Sequence, residues 1–312
     1  MRSFASLSSL LTIAALALAA CGDGSTAQSG SLDLAISDTP VDGATHVNLV
    51  FTSVTLQTDG SMSNGMDMMM MDGMGMADVA ETGTTLTLTF NKPRSVDLLQ
   101  QQGGKSAAVL SGMKVPAGLY TSITFMADPS RSTLTLSDGS VHPFVMKAGG
   151  MVANGNFGVM GDSANGITVD FDLRQAVSMS AGQYMLNPTL RVIDNMQVGR
   201  ISGSAPNTAL ISGKHISDPA CMPAAYVYAG ANVTPMDINP ASMVQPLTTA
   251  TLKLNNSTGG YDYTAAFLPA GPYTVSFVCA ALDDPTRADG LSFTSPQQAM
   301  VTVRNTSMVN VP

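Results

Sequence analysis

Charged residues are scarce in this sequence. Lys, Arg, Asp and Glu make up 12% of its 312 residues, about half the share in an ordinary soluble domain, and Glu81 is the only glutamate. Helix surfaces are normally covered by Glu, Lys, Arg and Gln, whereas this chain relies on Thr, Ser, Val and Gly, which occur in strands and turns. The composition therefore predicts an all-β protein.

Basic residues are few, and they form no run. The chain has 14 Lys and Arg against 22 Asp and Glu, for a net charge of −8. Cleavage after residue 20 would remove Arg2 and bring the charge near −9. An acidic chain without a basic stretch lacks the positive surface that binds a phosphate backbone. We therefore expect no nucleic-acid partner.

Residues that carry common catalytic chemistry are also rare. The three histidines, His46, His142 and His215, are far apart and fall on unrelated predicted elements. The sequence of residues 111–114, SGMK, matches the S-x-x-K pattern of serine acyl-enzymes, but it precedes a turn and has no partner motif. Phosphate-binding Gly loops and zinc-spaced Cys/His clusters are absent. We expect a protein that is not an enzyme.

Asp170 and Asp172 lie on one face of a predicted strand. Their carboxylate oxygens are the ligands that Ca²⁺ prefers. The alternative is that both belong to the polar face of a half-buried strand. Both interpretations remain open at this stage.

The amino terminus has the pattern of a secretory signal. Arg2 precedes an apolar run that starts near Leu10, and small residues stand before Cys21. The run is shorter than the roughly 20 apolar residues that span a bilayer. Cleavage after Ala20 as an ordinary signal peptide, releasing a soluble secreted protein, is one interpretation.

Leu18-Ala19-Ala20-Cys21 resembles the lipobox of bacterial lipoproteins. The resemblance implies that residues 1–20 are removed and that Cys21 carries acyl chains, which together hold a protein stably at a membrane. Gly22, rather than Asp, after the cysteine implies export to the outer membrane. Residues 21–30 would then form a small, polar, lipidated tether. We expect a lipid-anchored protein of the bacterial cell envelope.

The other two cysteines are Cys221 and Cys279. In an oxidising, exported compartment such a pair forms a disulfide. Two buried thiols are the alternative.

Alternation of apolar and polar residues predicts a first set of strands. It covers residues 31–36, 46–56, 85–90, 120–126, 132–136, 141–146, 167–173 and 184–193. A shift in the apolar phase within residues 46–56 predicts a bulge. Asp138-Gly139 predicts a hairpin, residues 37–40 (SDTP) predict a turn, and residues 96–99 predict one helical turn.

A second set of short strands follows a break near residues 196–199. It covers residues 201–202, 225–229, 249–254, 261–267, 273–280 and 300–311. We therefore predict two β-sandwich domains, residues 31–195 and 199–312, after a cleaved lipoprotein signal peptide. The sequence of residues 115–121, VPAGLYT, is repeated as LPAGPYT in residues 268–274, and in each a Pro-Ala-Gly turn precedes a strand that opens with Tyr.

Residues 31–193 resemble a domain of unknown function that is common in bacterial lipoproteins. The segments that carry the resemblance are residues 36–40 (ISDTP), 96–99 (VDLL), 116–120 (PAGLY) with Ile123, 169–173 (VDFDL) and 187–191 (NPTLR). The resemblance implies an immunoglobulin-like or prealbumin-like sandwich without an established activity.

Residues 199–312 are similar to carboxypeptidase-regulatory, transthyretin-like modules. The likeness rests on residues 261–263 (YDY), 268–271 (LPAG) and 273–275 (YTV). Such modules usually serve as spacers or binding scaffolds, and the fold alone does not give a function.

A methionine-rich loop, residues 61–78, departs from this family pattern. Its eight methionines are Met62, Met66, Met68, Met69, Met70, Met71, Met74 and Met76. Thioether sulfur is a soft ligand suited to Cu(I) or Ag(I), and the spacings resemble the methionine motifs of periplasmic copper-handling proteins. Compositional drift, sacrificial oxidation and an adaptable apolar contact surface are the alternatives.

Two functions are therefore compatible with the sequence. In the first, the envelope lipoprotein has a non-enzymatic binding or structural role, and exposed sandwich loops contact a protein or glycan partner. In the second, the methionine-rich loop binds Cu(I) or Ag(I). Apart from that metal, no cofactor is expected.

Overall fold

The computed structural model describes residues 28–39, 43–60, 76–82, 84–146, 148, 150–187, 189–239, 241–279, 288 and 290–312. For residues 76–82 it describes the backbone alone. The predicted signal peptide, Cys21, the tether up to residue 27 and seven of the eight loop methionines lie outside the described residues. Met76, the eighth, begins a strand.

The first set of strands forms what we call the N-terminal module. Its strands are β1 (Ser29–Thr39), β2 (Ala44–Thr58), β3 (Met76–Thr82), β4 (Thr85–Asp97), β5 (Ala107–Pro116), β6 (Gly118–Ala127), β7 (Thr133–Leu136), β8 (Val141–Met146), β9 (Met151–Val159), β10 (Ala164–Asp172), β11 (Val177–Ser180), β12 (Gln183–Leu186) and β13 (Thr189–Asp194). A 3₁₀ turn (Leu98–Gln100) follows β4, and a short helix, α1 (Leu173–Ala176), follows β10.

Two sheets build this module around one hydrophobic core. The smaller sheet has the order β13-β10-β1-β5, and the larger runs β11-β12-β8-β7-β2-β4-β3, with β6 joining β2 to β9. The sheets face each other, since Phe171 of β10 lies 6.3 Å from Phe51 and 5.8 Å from Phe125, both in the larger sheet, between ring centroids. The predicted sandwich is confirmed for this part of the chain.

Alternation in the sequence determines which face of each strand is buried. Leu86, Leu88 and Phe90 of β4 lie in the core, and the threonines between them are partly exposed. The bulge predicted in β2 is also confirmed, because the register shifts between Phe51 and Ser53 against both β4 and β6. Strands β7 and β8 form the predicted hairpin, with Gly139 at a φ of 85°.

Two expectations for the N-terminal module are wrong, and four of its strands are not predicted by the sequence pattern. Residues 37–39 form no turn but continue β1, because they pair in parallel with the end of β10. Residues 184–193 form two strands in different sheets, and the break falls beside Pro188, whose ring nitrogen has no hydrogen to donate. Strands β3, β5, β9 and β11 are additional, since their Ser, Gly and Ala content conceals the alternation.

The second set of strands forms the C-terminal module. Its strands are β14 (Val198–Ala205), β15 (Leu210–Ile211), β16 (Lys214–His215), β17 (Pro223–Ala229), β18 (Thr248–Thr251), β19 (Lys253–Leu254), β20 (Tyr261–Pro269), β21 (Gly271–Cys279), β22 (Gln297–Val301) and β23 (Thr306–Met308). They form the sheets β19-β20-β14-β23 and β18-β17-β21-β22 and the small pair β15-β16. This module has its own buried clusters, which share no residue with the core of the first.

The repeated Pro-Ala-Gly turn has the same geometry in both modules. Tyr120 opens β6 and donates a hydrogen bond from its hydroxyl to the carbonyl of Pro116 at 2.8 Å, and Tyr273 does the same to Pro269 at 2.9 Å. The motif therefore fixes the chain entry of one core strand in each module.

Cys221 and Cys279 form the predicted disulfide, with their Cα atoms 4.7 Å apart. The bond joins the residues just before β17 to the end of β21, where Pro223 and Cys279 pair. Within the described residues, no helix is both long and apolar enough to cross a bilayer.

Candidate functional site

A groove lies where the two modules meet. Its first cavity has a volume of about 260 Å³ and is lined by the end of β1, the loop of residues 102–105, β18, β19 and β20. A second cavity of about 330 Å³ is lined by the start of β14 and by Arg304. The cavities share Gly104, Ala266 and Phe267, and we call the two together the junction groove.

The N-terminal module reaches the groove through a glycine loop. Gly103 and Gly104 have φ values of 67° and 88°, which L side chains rarely adopt. A Cβ atom on Gly104 would lie 3.1 Å from the Cβ of Ala266 in the C-terminal module. Glycine therefore allows both the turn and the close approach.

The C-terminal module meets this loop with a β-bulge in β20. The register of β14 against β20 shifts between Gly199 and Ile201, and opposite this shift Phe267 has a φ of 57°. A left-handed conformation is unusual for a bulky residue and is typical of sites where a side chain is redirected. Here the redirected residue lines both cavities.

Polar side chains join the modules beside the groove. The hydroxyls of Thr39 and Thr248 are 3.0 Å apart and buried. Lys253 donates a hydrogen bond from Nζ to the Oε1 of Gln102 at 2.9 Å. These bonds link the end of β1 and the glycine loop to β18 and β19.

Arg174 of α1 extends the same interface into the protein interior. It is 1% exposed, its Nε donates to the Oγ1 of Thr249 at 3.1 Å, and its guanidinium carbon lies 5.7 Å from the ring centroid of Tyr226. A buried arginine of one module is thus held by a hydroxyl and an aromatic face of the other.

Asp38 is the unusual group of the groove. It is 5% exposed, and neither carboxyl oxygen has a hydrogen bond of good geometry within the described residues, although the side chain of Gln102 and the backbone of Leu173 lie nearby. Burial, followed by the charges of Asp170 and Asp172, raises the pKa of Asp38 well above its usual range. The group is therefore held in its neutral form more strongly than an exposed aspartate.

Asp170 and Asp172 already have partners in the chain. Arg191 donates from Nη2 to Asp170 at 2.5 Å, and Asp172 accepts hydrogen bonds from the backbone and side-chain amides of Gln175 at 3.2 and 2.6 Å. Both carboxylates are buried, so neither belongs to a half-exposed polar face. The described residues contain no group of three His, Cys, Asp or Glu side chains placed to hold a metal ion.

Burial also alters the titration of two other groups near the groove. It raises the pKa of Asp172 to about 6, with a further contribution from Asp170. Desolvation, then the charge of Lys105, lowers the pKa of Lys253. Because burial causes both shifts, the protonation of Asp172 and Lys253 depends on how the chain packs around them.

The residues considered for catalysis remain apart. His46, on β2, forms a hydrogen bond to Asp97 at 2.7 Å. His142, on β8, contacts Ser140 and Tyr184. His215 lies on β16. The S-x-x-K segment forms part of strand β5, not of the helix that acyl-enzyme chemistry requires.

The sequence did not identify the groove residues as a site. The sequence pattern predicts a turn at Asp38, and nothing in the spacing of Gln102 and Lys253 predicts that they meet. The one available signal was an aspartate after the apolar run of β1, where a buried strand rarely carries a charge.

Three solved structures illustrate the likenesses found by structure comparison. A leucine-rich repeat protein from Bacteroides thetaiotaomicron has 12% identity and a TM-score of 0.22 over 91% of this chain and 26% of its own, so the chain spans about a quarter of that protein. The pilus backbone of Streptococcus pneumoniae has 9% identity and a TM-score of 0.21, covering 85% and 84%. A putative adhesin from Bacteroides ovatus has 11% identity and a TM-score of 0.19, covering 90% and 93%. TM-scores this low do not indicate a shared fold.

No curated protein matches the chain. One family model does, over residues 29–188, and its description is a domain of unknown function, DUF4382. The match covers β1 to β12, including the β1 and β10 strands that contribute to the junction groove. Since it spans just over half of the 312 residues, the chain belongs to the DUF4382 family.

Proposed function

We propose that this chain is a lipid-anchored protein of the bacterial cell envelope with a non-enzymatic binding role. The anchor is Cys21, after removal of residues 1–20, and the outer membrane is the expected site. The observation that supports a binding role is the junction groove, in which the buried carboxyl of Asp38 lacks a hydrogen-bond partner in the described part of the chain.

The groove replaces the sandwich loops as the expected contact site. A ligand there touches both modules at once, so the family domain and the second module, which we propose is transthyretin-like, act as one binding unit. A protein or glycan partner remains the expected class.

Palmitate labelling of cells that express the full chain tests the anchor. We expect label in the wild-type chain and none in Cys21→Ser. Label that is absent from the wild type, or that persists in the variant, would contradict the proposal.

Soft-metal binding by the methionine-rich loop is the second candidate. Its support is the run of eight methionines within residues 62–76, whose thioethers remain unprotonated and so retain affinity in acid. A Cu(I) titration against a competing chelator should show tighter binding by the full chain than by a variant lacking residues 61–75. Equal affinity would reject this candidate.

A further inference from the structure

The junction groove concentrates positive charge in an acidic protein. Lys105 and Lys253 line its first cavity, and Arg200 and Arg304 line its second. All four residues are exposed, and none forms an ion pair within the described residues. In a chain with a net charge of −8, four basic side chains around one groove form a local concentration of positive charge.

The acidic groups in the groove offset only part of this charge. Asp170 is paired with Arg191. Asp262 accepts a hydrogen bond from the Nδ2 of Asn255 at 2.5 Å and keeps its negative charge, which offsets one of the four positive charges. Burial, followed by the charges of Asp170 and Asp172, raises the pKa of Asp38 well above its usual range and so favours its neutral form. The lysines and arginines therefore favour a ligand that carries negative charge.

In the protonated form that burial favours, the Asp38 carboxyl is a hydrogen-bond donor as well as an acceptor. It lines the first cavity, and neither of its oxygens has a hydrogen bond of good geometry within the described residues, so a ligand hydroxyl or carboxylate would satisfy it. Among the hydroxyl side chains that line the same cavity, Thr251 and Thr264 are partly exposed, whereas Thr39, Thr248 and Thr249 are buried and bonded within the protein. The two partly exposed hydroxyls are complementary to a hydroxylated ligand.

Phe267 lies at the boundary of the two cavities and lines both. Its left-handed backbone within a β-bulge holds the residue at this point at a conformational cost, which is typical of binding sites. Its aromatic side chain would provide an apolar surface for the C–H face of a sugar ring. The arrangement suits a linear ligand that occupies both cavities.

We propose that the junction groove binds an acidic oligosaccharide built of hexuronic acid residues. Its carboxylates would contact Lys253 and Arg304, a ring would pack on Phe267, and a hydroxyl would bond to Asp38. This inference rests on the proposed function, because it specifies the ligand class of the same groove.

Calorimetric titration of the full chain, purified in detergent, with trigalacturonate tests the inference. We expect saturable binding that weakens with added salt. Lys253→Ala and Arg304→Ala should each reduce affinity by about tenfold, because each removes a charge-assisted hydrogen bond. Lys214→Ala, an exposed lysine on β16 away from the groove, should leave it unchanged.

Phe267→Gly separates ring packing from charge. Glycine adopts this φ without strain, so the variant should keep its fold while affinity falls by about fivefold. The fully methyl-esterified trisaccharide should bind at least about tenfold more weakly than the acid.

Three results would overturn the inference: no saturable binding of trigalacturonate, equal binding of the methyl ester, or equally tight binding of polyglutamate, which would assign the groove to acidic polypeptides. Loss of trigalacturonate binding in Lys214→Ala would likewise contradict it. Palmitate labelling at Cys21 together with a negative titration would refute this ligand class and leave the proposed envelope role intact.

Discussion

Lys253 donates a hydrogen bond from Nζ to the Oε1 of Gln102, across the junction of the two modules, at 2.9 Å. The two residues are 151 positions apart in the chain, and each lies beside the buried carboxyl of Asp38. The bond thus forms one wall of the junction groove. A ligand that displaced it would act on both modules at once.

The contact between Thr39 and Thr248 should contribute measurably to the interface. A double-mutant cycle with Thr39→Val and Thr248→Val is expected to give a coupling free energy of about 1 kcal/mol, the net value of a buried neutral hydrogen bond. Chemical denaturation of the four proteins measures it. Strict additivity would show that the two hydroxyls do not meet in solution.

Replacement of Asp38 by Asn should stabilise the protein at neutral pH. At pH 7 the folded state must hold a buried carboxyl with a raised pKa, a cost that Asn avoids, so the free energy of unfolding should rise. At pH 3 the aspartate is protonated in both states, and this advantage should disappear. An equal gain at both pH values would contradict the assigned cause.

Asp172 should make the stability of the wild type decline as the pH rises. Its folded pKa is about 6 against a usual value of 3.8, so between these values the folded state binds more protons than the unfolded state. The associated stabilisation is complete below the lower value and is lost through pH 6, an effect of about 3 kcal/mol.

Asp172→Asn isolates this contribution, since Asn also caps a helix amino terminus. Denaturation between pH 3 and pH 8 should show a shallower decline for the variant than for the wild type. Identical pH profiles would rule out Asp172 as the titrating group.

The tyrosine hydroxyls of the two repeated turns should differ in how much they stabilise the protein. Tyr120→Phe leaves the carbonyl of Pro116 without its buried partner and should cost about 2 kcal/mol, whereas Tyr273→Phe, at a partly buried bond, should cost about 1 kcal/mol. Tyr184→Phe is the matched control, since its hydroxyl has no hydrogen bond to another described residue. If thermal denaturation shows that Tyr184→Phe loses as much stability as Tyr120→Phe, the motif's structural role is contradicted.

Loss of the disulfide should weaken the C-terminal module selectively. The double variant Cys221→Ser/Cys279→Ser removes a link across 58 residues and should lower stability by about 2 to 4 kcal/mol. Because the hydrophobic clusters of the two modules are separate, we expect an earlier transition for this module and an unchanged one for the other. Equal weakening of both would show that they unfold as a unit.

Sequence patterns predicted the parts of the fold that depend on local chemistry. Strand alternation in β4, the bulge in β2 and the Asp138-Gly139 hairpin follow from periodicity and turn preferences within a few residues. The disulfide followed from the expected oxidising compartment. Strands such as β9 were missed because their residues, including Gly155 and Gly158, contain little alternation.

The junction groove depends on pairings that periodicity does not encode. Asp38 follows an apolar strand and looked like the start of a turn, yet the parallel pairing of β1 with β10 buries it beside Asp170 and Asp172. Phe267 lies in a segment whose sequence predicts a regular strand, and the bulge becomes visible only in the pairing of β20 with β14. The residues of this site are brought together by the pairing of strands that are distant in the sequence, which composition does not predict.

Hydrogen–deuterium exchange of the full chain with and without trigalacturonate tests the role of the junction groove most directly. We predict slower amide exchange in the loop of residues 101–105 and in residues 264–268, with no change in the β7–β8 hairpin. Protection confined to other segments, or none at a saturating concentration, would contradict the assignment of the groove as the binding site.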